Sequence, residues 1–406
     1  MTERNDIGGG SSLQQLLDQA TYQHFQEQMA SICIEAGALH RIADHVEQKG
    51  YRSVQLVVDE HTYAAAGKEL VLILGKKGFQ AFTTCVTANS IGDVIADEAA
   101  IVQVLLDIQH NHADVVIAVG GGTLHDIARY AAYTSRLRFI SVPTAPSVDG
   151  FNSKGAPIII RGYKQTIISI GPEAVFADLN VLVKAPQPMI AAGFGDILGK
   201  YTSLFDWKFG AITSGEPYSL ASELITRHAL QHSVSCAGQI AKRDEEGIAL
   251  LTRALMESGV AMLLFGHSHP ASGAEHHLSH YWEMEYLKHG EKQLLHGAKV
   301  GCATIEIAKL YKQLQEQDWG LQAKLNSNIA SHWDEIKQHI SAIPAADELS
   351  ALLAQVGGPT SYHQLGIAQE LVARSMSEAH LVRPERYTLL HAYNMETGHM
   401  NSRSGA

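Results

Sequence analysis

The stretch Asp114-Val-Val-Ile-Ala-Val-Gly120-Gly121-Gly122-Thr123-Leu124-His125-Asp126 runs an apolar strand into three glycines and then into a helix start. Glycine lets a backbone approach an anion closely, and the unpaired amides of a helix N-terminus present partial positive charge to it. Strand, turn and helix in this order form a cradle suited to a pyrophosphate. The same residues also suit an ordinary strand-to-helix turn with Thr123 or Asp126 as the cap. The glycines do not follow the G-x-G-x-x-G spacing, so a standard Rossmann domain is not implied.

On either side of this stretch, residues 1 to about 185 alternate short β-branched runs with helical spacing, the pattern of a parallel sheet covered by helices. Strands are expected at Val54 to Val58, Asp114 to Val119 and Phe139 to Val142, and helices at Ala38 to Lys49 and Gly92 to His110. Ile158-Ile159-Ile160 and Thr166 to Ile170, separated by Arg161-Gly162-Tyr163-Lys164, predict a hairpin that embellishes the sheet. Ala185-Pro186-Gln187-Pro188 then breaks the pattern, because proline lacks an amide donor and restricts the residue before it. The break divides an α/β domain of residues 1–185 from a mostly helical domain of residues 186–406, with helical patterns at Leu220 to Lys242, Glu246 to Phe265 and Gly297 to Gln315. Gly8-Gly9-Gly10-Ser11-Ser12 is expected to be a flexible end.

A length of 406 residues agrees with two domains at about 150 residues or more each. The net charge of −11 disfavours a surface that grips nucleic-acid phosphates, so an anionic ligand must be met by local cations. The longest apolar runs, such as Gly259 to Gly266, are shorter than the roughly 18 residues of a spanning helix, and no membrane insertion is expected. The opening MTERNDIGGGSS reads as neither secretory signal nor transit peptide, so a cytoplasmic location is expected. Cys33, Cys85, Cys236 and Cys302 lack any CxxC spacing, which points to reduced thiols in cores.

Three further groups of residues carry chemistry. Val54-Gln-Leu-Val-Val-Asp59 ends a strand in an acid that either accepts bonds from ribose hydroxyls or caps the helix beginning near His61. Ser141-Val-Pro-Thr144-Ala-Pro-Ser147-Val-Asp149-Gly-Phe-Asn152-Ser153 gathers hydroxyls, an acid and two prolines just after a strand, where α/β sheets bind ligands. GFGD with Asp196, SGAEHHLSH with His276 and His280, and LHGAKVG with His296 are metal-compatible, since one aspartate oxygen and two imidazoles suit Zn²⁺, Ni²⁺ or Fe²⁺ with an open position. His276 and His280 are four residues apart and so on the same face of a helix, where only one need bind metal while the other touches substrate. With 22 histidines in the chain, no single one is diagnostic, and the cluster needs independent support.

Taken in order, GGGTLHD, SVPTAPSVDGFNS, GFGDILGKYTSLFDW, SGAEHHLSH and LHGAKVG resemble the iron-containing alcohol dehydrogenase and dehydroquinate synthase superfamily over nearly the whole chain. Within it, the TAPSVDG, DILGKYTSLFDW and SGAEH segments are similar to the sn-glycerol-1-phosphate dehydrogenases of the bacterial NAD-dependent type. The resemblance implies a dehydroquinate synthase-like fold with a metal between a dinucleotide domain and a helical one. It implies pyrophosphate on Gly121, Gly122 and Thr123, ribose on Asp59, and other parts of the nucleotide on Thr144, Ser147 and Ser153. By the same resemblance Asp149 contacts substrate, Asp196, His276 and His296 hold one divalent metal per subunit, and His280 faces substrate. His289-Gly-Glu-Lys292 copies the family's HGEK wording better than His296-Gly-Ala-Lys299 does, but His296 leads into the apolar helix that continues the family pattern and is chosen.

The activity so implied is reduction of dihydroxyacetone phosphate to sn-glycerol 1-phosphate with NAD(P)H, for the ether-type backbone of certain lipids, by a homodimer. Asp59 should repel a 2′-phosphate, yet one carboxylate does not exclude NADP, and both cofactors stay open. Lys200, Lys154 and His280 are unranked candidates for the substrate phosphate. The alternatives are a glycerol dehydrogenase-like polyol or ketone oxidoreductase, a dehydroquinate synthase-like lyase, and a nucleotide-binding sensor with a vestigial metal set.

Overall fold

A computed structural model describes residues 13–398; the glycine-serine stretch at residues 8–12 lies outside them. Eight strands occur among the described residues: β1 Ile32–Glu35, β2 Ser53–Val58, β3 Gln80–Cys85, β4 Val115–Gly120, β5 Arg138–Pro143, β6 Gly155–Ile160, β7 Tyr163–Ile168 and β8 Ala174–Asp178. Six of them form one all-parallel sheet in the order β1-β8-β5-β4-β2-β3. β2 and β4 are buried at every position, as strands covered by helices on both faces must be. One face packs on α1 (Ala38–Lys49) and the other on α2 (Glu98–His110) and α3 (Gly122–Thr134).

The expected strands and α1 fall where the spacing put them. Leu39, Ile42 and Val46 recur at three- and four-residue intervals and are all buried. Gly37 and Gly50, at φ 80° and 77°, bound α1 in the left-handed conformation that glycine adopts without strain. The helix expected from Gly92 instead starts at Glu98, because Asp97 caps it by accepting from the Ala100 amide at 2.9 Å. The hairpin is an antiparallel pair, β6 and β7, separate from the main sheet and joined to the Asp97 region by an Ile159-to-Ala96 backbone bond of 2.8 Å.

After Asp178 the described residues contain helices and no strand. Pro186 precedes α4 (Gln187–Leu198), and Pro188 sits in its first turn, where a missing amide costs nothing. Then come α5 (Lys200–Ser214), α6 (Leu220–Ser235), α7 (Glu245–Phe265), α8 (Ala274–His289) and α9 (His296–Glu316), followed by short helices. The pattern at Leu220 to Lys242 is two helices, since Ala237–Lys242 forms its own segment after Cys236. The first helices, Leu13–Leu16 and Gln19–Ala30, pack through Leu13, Leu17 and Phe25 onto Ile225, Val260 and Ala261 of α6 and α7.

α7 corrects the expectation drawn from unbroken apolar runs: by length and hydropathy it is sufficient to cross a membrane, yet 61% of its most apolar 18-residue window is buried within the protein. It is a core helix. The thiols also depart from expectation, for Cys302 is buried, Cys33 and Cys236 are half-buried, and Cys85 is exposed at the end of β3; all four are free.

Candidate functional site

A cleft of about 1270 Å³ runs along the carboxyl ends of the parallel strands and on between them and α4, α8 and α9. Ligands of open α/β sheets bind at this end because strands deliver loops and helix N-termini there. At its floor, α3 begins at Gly122 with Gly121 as its N-cap and no side-chain cap, so neither Thr123 nor Asp126 fills the capping role. The first amide to find a helical partner is that of His125, on the Gly121 carbonyl, which leaves the first-turn amides for a ligand. A Cβ on Gly122 would stand 3.2 Å from Val148 Cγ2, so this turn leaves little room for a larger residue.

Asp59 takes the capping role. Its Oδ1 accepts from the Thr62 amide at 2.7 Å while Thr62 Oγ1 accepts from the Asp59 amide at 2.9 Å, a reciprocal capping box. It also lines the cleft, so capping and ligand contact are compatible.

The loop after β5 is buried yet polar: Thr144, Ser147, Asp149, Asn152 and Ser153 are all less than a tenth exposed. Arg129 of α3, fully buried, fixes it by donating to the carbonyls of Gly150 (2.6 Å), Phe151 (3.1 Å) and Gly155 (2.5 Å), and it pairs with Asp126 at 3.0 Å. Thr144, Ser147, Asp149 and Ser153 line the cleft.

The metal-type residues meet because two helices approach closely. A Cβ on Gly195 of α4 would stand 2.5 Å from the Gly297 carbonyl oxygen of α9, and one on Gly297 would stand 1.9 Å from that of Ala192. The glycines of GFGD and LHGAKVG therefore allow the contact that carries Asp196 to His296. His276 enters from α8, its Nε2 3.5 Å from Asp196 Oδ1, and the ligand atoms of Asp196, His276 and His296 lie within 4.8 Å of one another. Among the described residues this is the one group of three so disposed.

Glu275 orients His276: its Oε1 accepts from His276 Nδ1 at 2.7 Å and from the Gly273 amide at 2.7 Å, and its Oε2 accepts from Thr202 Oγ1 at 2.6 Å. With Nδ1 so engaged, Nε2 is the nitrogen that faces the trio, the arrangement a metal-binding histidine requires. Burial pushes His296 down to about 3, so it is a neutral imidazole with a lone pair to give. The donor set fits a divalent ion.

His280 lies one turn beyond His276, with ring centroids 6.2 Å from His276 and 5.8 Å from His296. Burial, with Lys164 and Arg383 nearby, holds it well below the usual histidine range, so it too is neutral. His289 is exposed at the end of α8, its Nδ1 on the Glu285 carbonyl at 2.8 Å, and takes no part in the trio.

Lys200 is not available for a ligand phosphate. Its Nζ, with a fully buried side chain, lies 2.7 Å from Asp149 Oδ2, 3.1 Å from Asp196 Oδ1 and 3.2 Å from the Ala271 carbonyl. Burial works against its charge, but the two carboxylates more than offset that and hold it protonated. Asp149 is raised by burial and by the charge of Asp196, against the pull of Lys200, and its Oδ2 also accepts from Ser258 at 2.8 Å. Lys154 is exposed and off the cleft wall. Residues not anticipated from spacing are Glu275, Ser258, Arg129, Arg383, and Glu283 between Lys164 (2.8 Å) and Lys299 (3.0 Å).

Comparison with known proteins fits this geometry. Residues 33–186 match the family described as iron-containing alcohol dehydrogenase. The chain is 44% identical over 389 residues to a glycerol-1-phosphate dehydrogenase [NAD(P)+] of Geobacillus stearothermophilus, covering 92% of this chain and 94% of that protein. The chain belongs to the glycerol-1-phosphate dehydrogenase family. A member from Pyrococcus furiosus is 31% identical over 90% of this chain and 94% of its own. Among solved structures, a probable glycerol dehydrogenase from Sinorhizobium meliloti 1021 superposes with a TM-score of 0.64 at 19% identity, covering 89% of this chain and 91% of that one. An alcohol dehydrogenase from Oenococcus oeni gives 0.65 at 16% identity over 90% and 97%. The fold of this family member is thus the expected dehydroquinate synthase-like one: a parallel sheet followed by a helical part.

Proposed function

We propose that this cleft reduces dihydroxyacetone phosphate to sn-glycerol 1-phosphate with NADH or NADPH, supplying a glycerophosphate backbone for lipid synthesis. The observation that carries the reading is that one cleft is lined by the α3 glycine turn and by His276 and His296, whose ligand atoms lie within 4.8 Å of that of the buried Asp196. The names of the relatives supply the substrate.

In the reaction a hydride passes from the reduced nicotinamide to C2 of the ketone, the C=O bond becomes a C–O single bond, and its oxygen gains one proton. Asp196, His276 and His296 would hold Ni²⁺, Zn²⁺ or Fe²⁺, whose contribution when bound is to stabilise the negative charge that develops on that oxygen. Gly121, Gly122 and Thr123 hold the pyrophosphate through backbone amides, Asp59 the ribose, and Thr144, Ser147 and Ser153 the remaining nucleotide polar groups. Asp149, fixed by Lys200 and Ser258, orients the substrate hydroxyl. His280, neutral at physiological pH, relays the proton by taking one on one nitrogen as it gives one from the other. The division of labour follows a boundary at 185/186, and a cytoplasmic homodimer belongs to the same reading.

The test is the product. Incubation with NADH and dihydroxyacetone phosphate yields a glycerophosphate that an enzyme specific for sn-glycerol 3-phosphate does not oxidise. Oxidation of the product by that enzyme, or absence of a phosphorylated product, contradicts the proposal.

A further inference from the structure

The cleft and the residues behind its wall contain several cations, of which Lys164, Lys299 and the buried Lys200 are already matched. Lys200 is shared by Asp149 and Asp196, and Lys164 and Lys299 both lean on Glu283. Lys184 is exposed and precedes the α4 segment whose Met189 lies 3.8 Å from a Cβ built on Gly121, which puts it on the nucleotide side. Arg383 is different. It lines the cleft with His276, His280 and His296, and the side-chain hydrogen bonds it makes among the described residues go to hydroxyls, not to a carboxylate.

Its partners are two hydroxyls, Ser268 Oγ at 3.0 Å and Ser272 Oγ at 3.2 Å, both accepting from Nη1. Nε and Nη2 have no protein acceptor among the described residues. Each serine that accepts from the guanidinium keeps its own proton to donate. A planar fork of donors flanked by two hydroxyl donors matches the oxygens of a phosphate monoester.

The segment is also held in register with the metal-type trio. Arg386 Nη1 donates to the Ser272 carbonyl at 2.9 Å, and the Leu389 amide donates to Asp206 Oδ1 at 3.0 Å. The other oxygen of Asp206 accepts from the Ala274 amide, at the start of the helix that carries His276 and His280, at 2.8 Å. One buried carboxylate thus fixes Arg383's segment against the helix that faces the reacting carbon.

We propose that Arg383, with Ser268 and Ser272, is the seat of the substrate's phosphate and so the residue that sets preference for a phosphorylated over an unphosphorylated ketone. The inference rests on the reading above that the substrate is a phosphorylated ketone. It assigns specificity to Arg383 and leaves the chemistry at C2 to other residues.

The experiment compares dihydroxyacetone phosphate with dihydroxyacetone as substrates of the metal-loaded enzyme, wild type, Arg383→Gln and Arg383→Lys, with inorganic phosphate as competitive inhibitor. Arg383→Gln should lower kcat/KM for the phosphorylated ketone on the order of 10²-fold, leave dihydroxyacetone within about twofold, and weaken inhibition by inorganic phosphate in parallel. Arg383→Lys keeps the charge but not the fork and should lie between. The retained turnover of dihydroxyacetone reports that each variant is folded. A variant that keeps the wild-type ratio between substrates, or that loses both equally, overturns the assignment while the proposed reaction stands. Wild-type indifference to the phosphate overturns both.

Discussion

His276 Nε2 stands 3.5 Å from Asp196 Oδ1, although one belongs to α8 and the other to α4. This contact closes the cleft's donor set. Asp196→Ala should therefore abolish bound metal and turnover together. It should leave the fold intact, because Lys200 keeps its 2.7 Å bond to Asp149. Metal content by elemental analysis and the far-ultraviolet spectrum check both halves; full metal content in a folded variant contradicts the assignment.

Glu275 acts through His276. Glu275→Gln preserves shape but removes the negative charge and replaces with a donor one of the two oxygens, Oε1 serving His276 Nδ1 and the Gly273 amide and Oε2 serving Thr202. Loss of an outer carboxylate of this kind weakens metal binding by about 10- to 100-fold. Competition with a chelator measures it, and unchanged affinity would assign Glu275 a merely structural role.

Glu283 ties the hairpin to the helical part through Lys164 and Lys299. Burial acts to raise its carboxyl, but the two lysines overcome that and hold it below the usual range. A lowered carboxyl contributes stability above its unfolded value, about 4.3, and loses it as pH falls toward the folded value. The difference in thermal midpoint between wild type and Glu283→Gln should thus be constant above about pH 5 and shrink in stronger acid. A difference that grows on acidification would contradict this sign.

Arg129 holds three loop carbonyls and Asp126 from a fully buried position. Arg129→Met leaves them unpaired and should cost about 3 kcal/mol, with a clear fall in thermal midpoint and weakened nucleotide binding. A midpoint within a degree of wild type would show that water replaces the guanidinium without loss.

Much of this was legible in the residues. Apolar runs at β2, β4 and β5 and the 3.6-residue spacing of α1 show on their face, because burial on both sides or on one stripe leaves a pattern. β1 and β3 did not show: β1 has only four residues, and β3, Gln80–Cys85, lies at the sheet edge with one position fully buried, Thr84, and no continuous apolar run. GFGD, SGAEHHLSH and LHGAKVG displayed the metal-type residues, but their meeting depends on helix contacts at Gly195 and Gly297 that no local pattern announces. Arg383 carried no signal, since an arginine in Leu381-Val-Arg-Pro-Glu-Arg386 acquires meaning only when Ser268 and Ser272 stand beside it. Lys200 misled for the converse reason: its charge is visible in sequence, whereas the two carboxylates that occupy it are not.

The most direct test of the account is NADH oxidation by metal-stripped protein reloaded with Ni²⁺, Zn²⁺ or Fe²⁺ and offered dihydroxyacetone phosphate beside dihydroxyacetone. The account predicts a rate that returns only with metal and is much faster with the phosphorylated ketone. Full activity in the stripped protein, or equal or faster turnover of dihydroxyacetone, would contradict it.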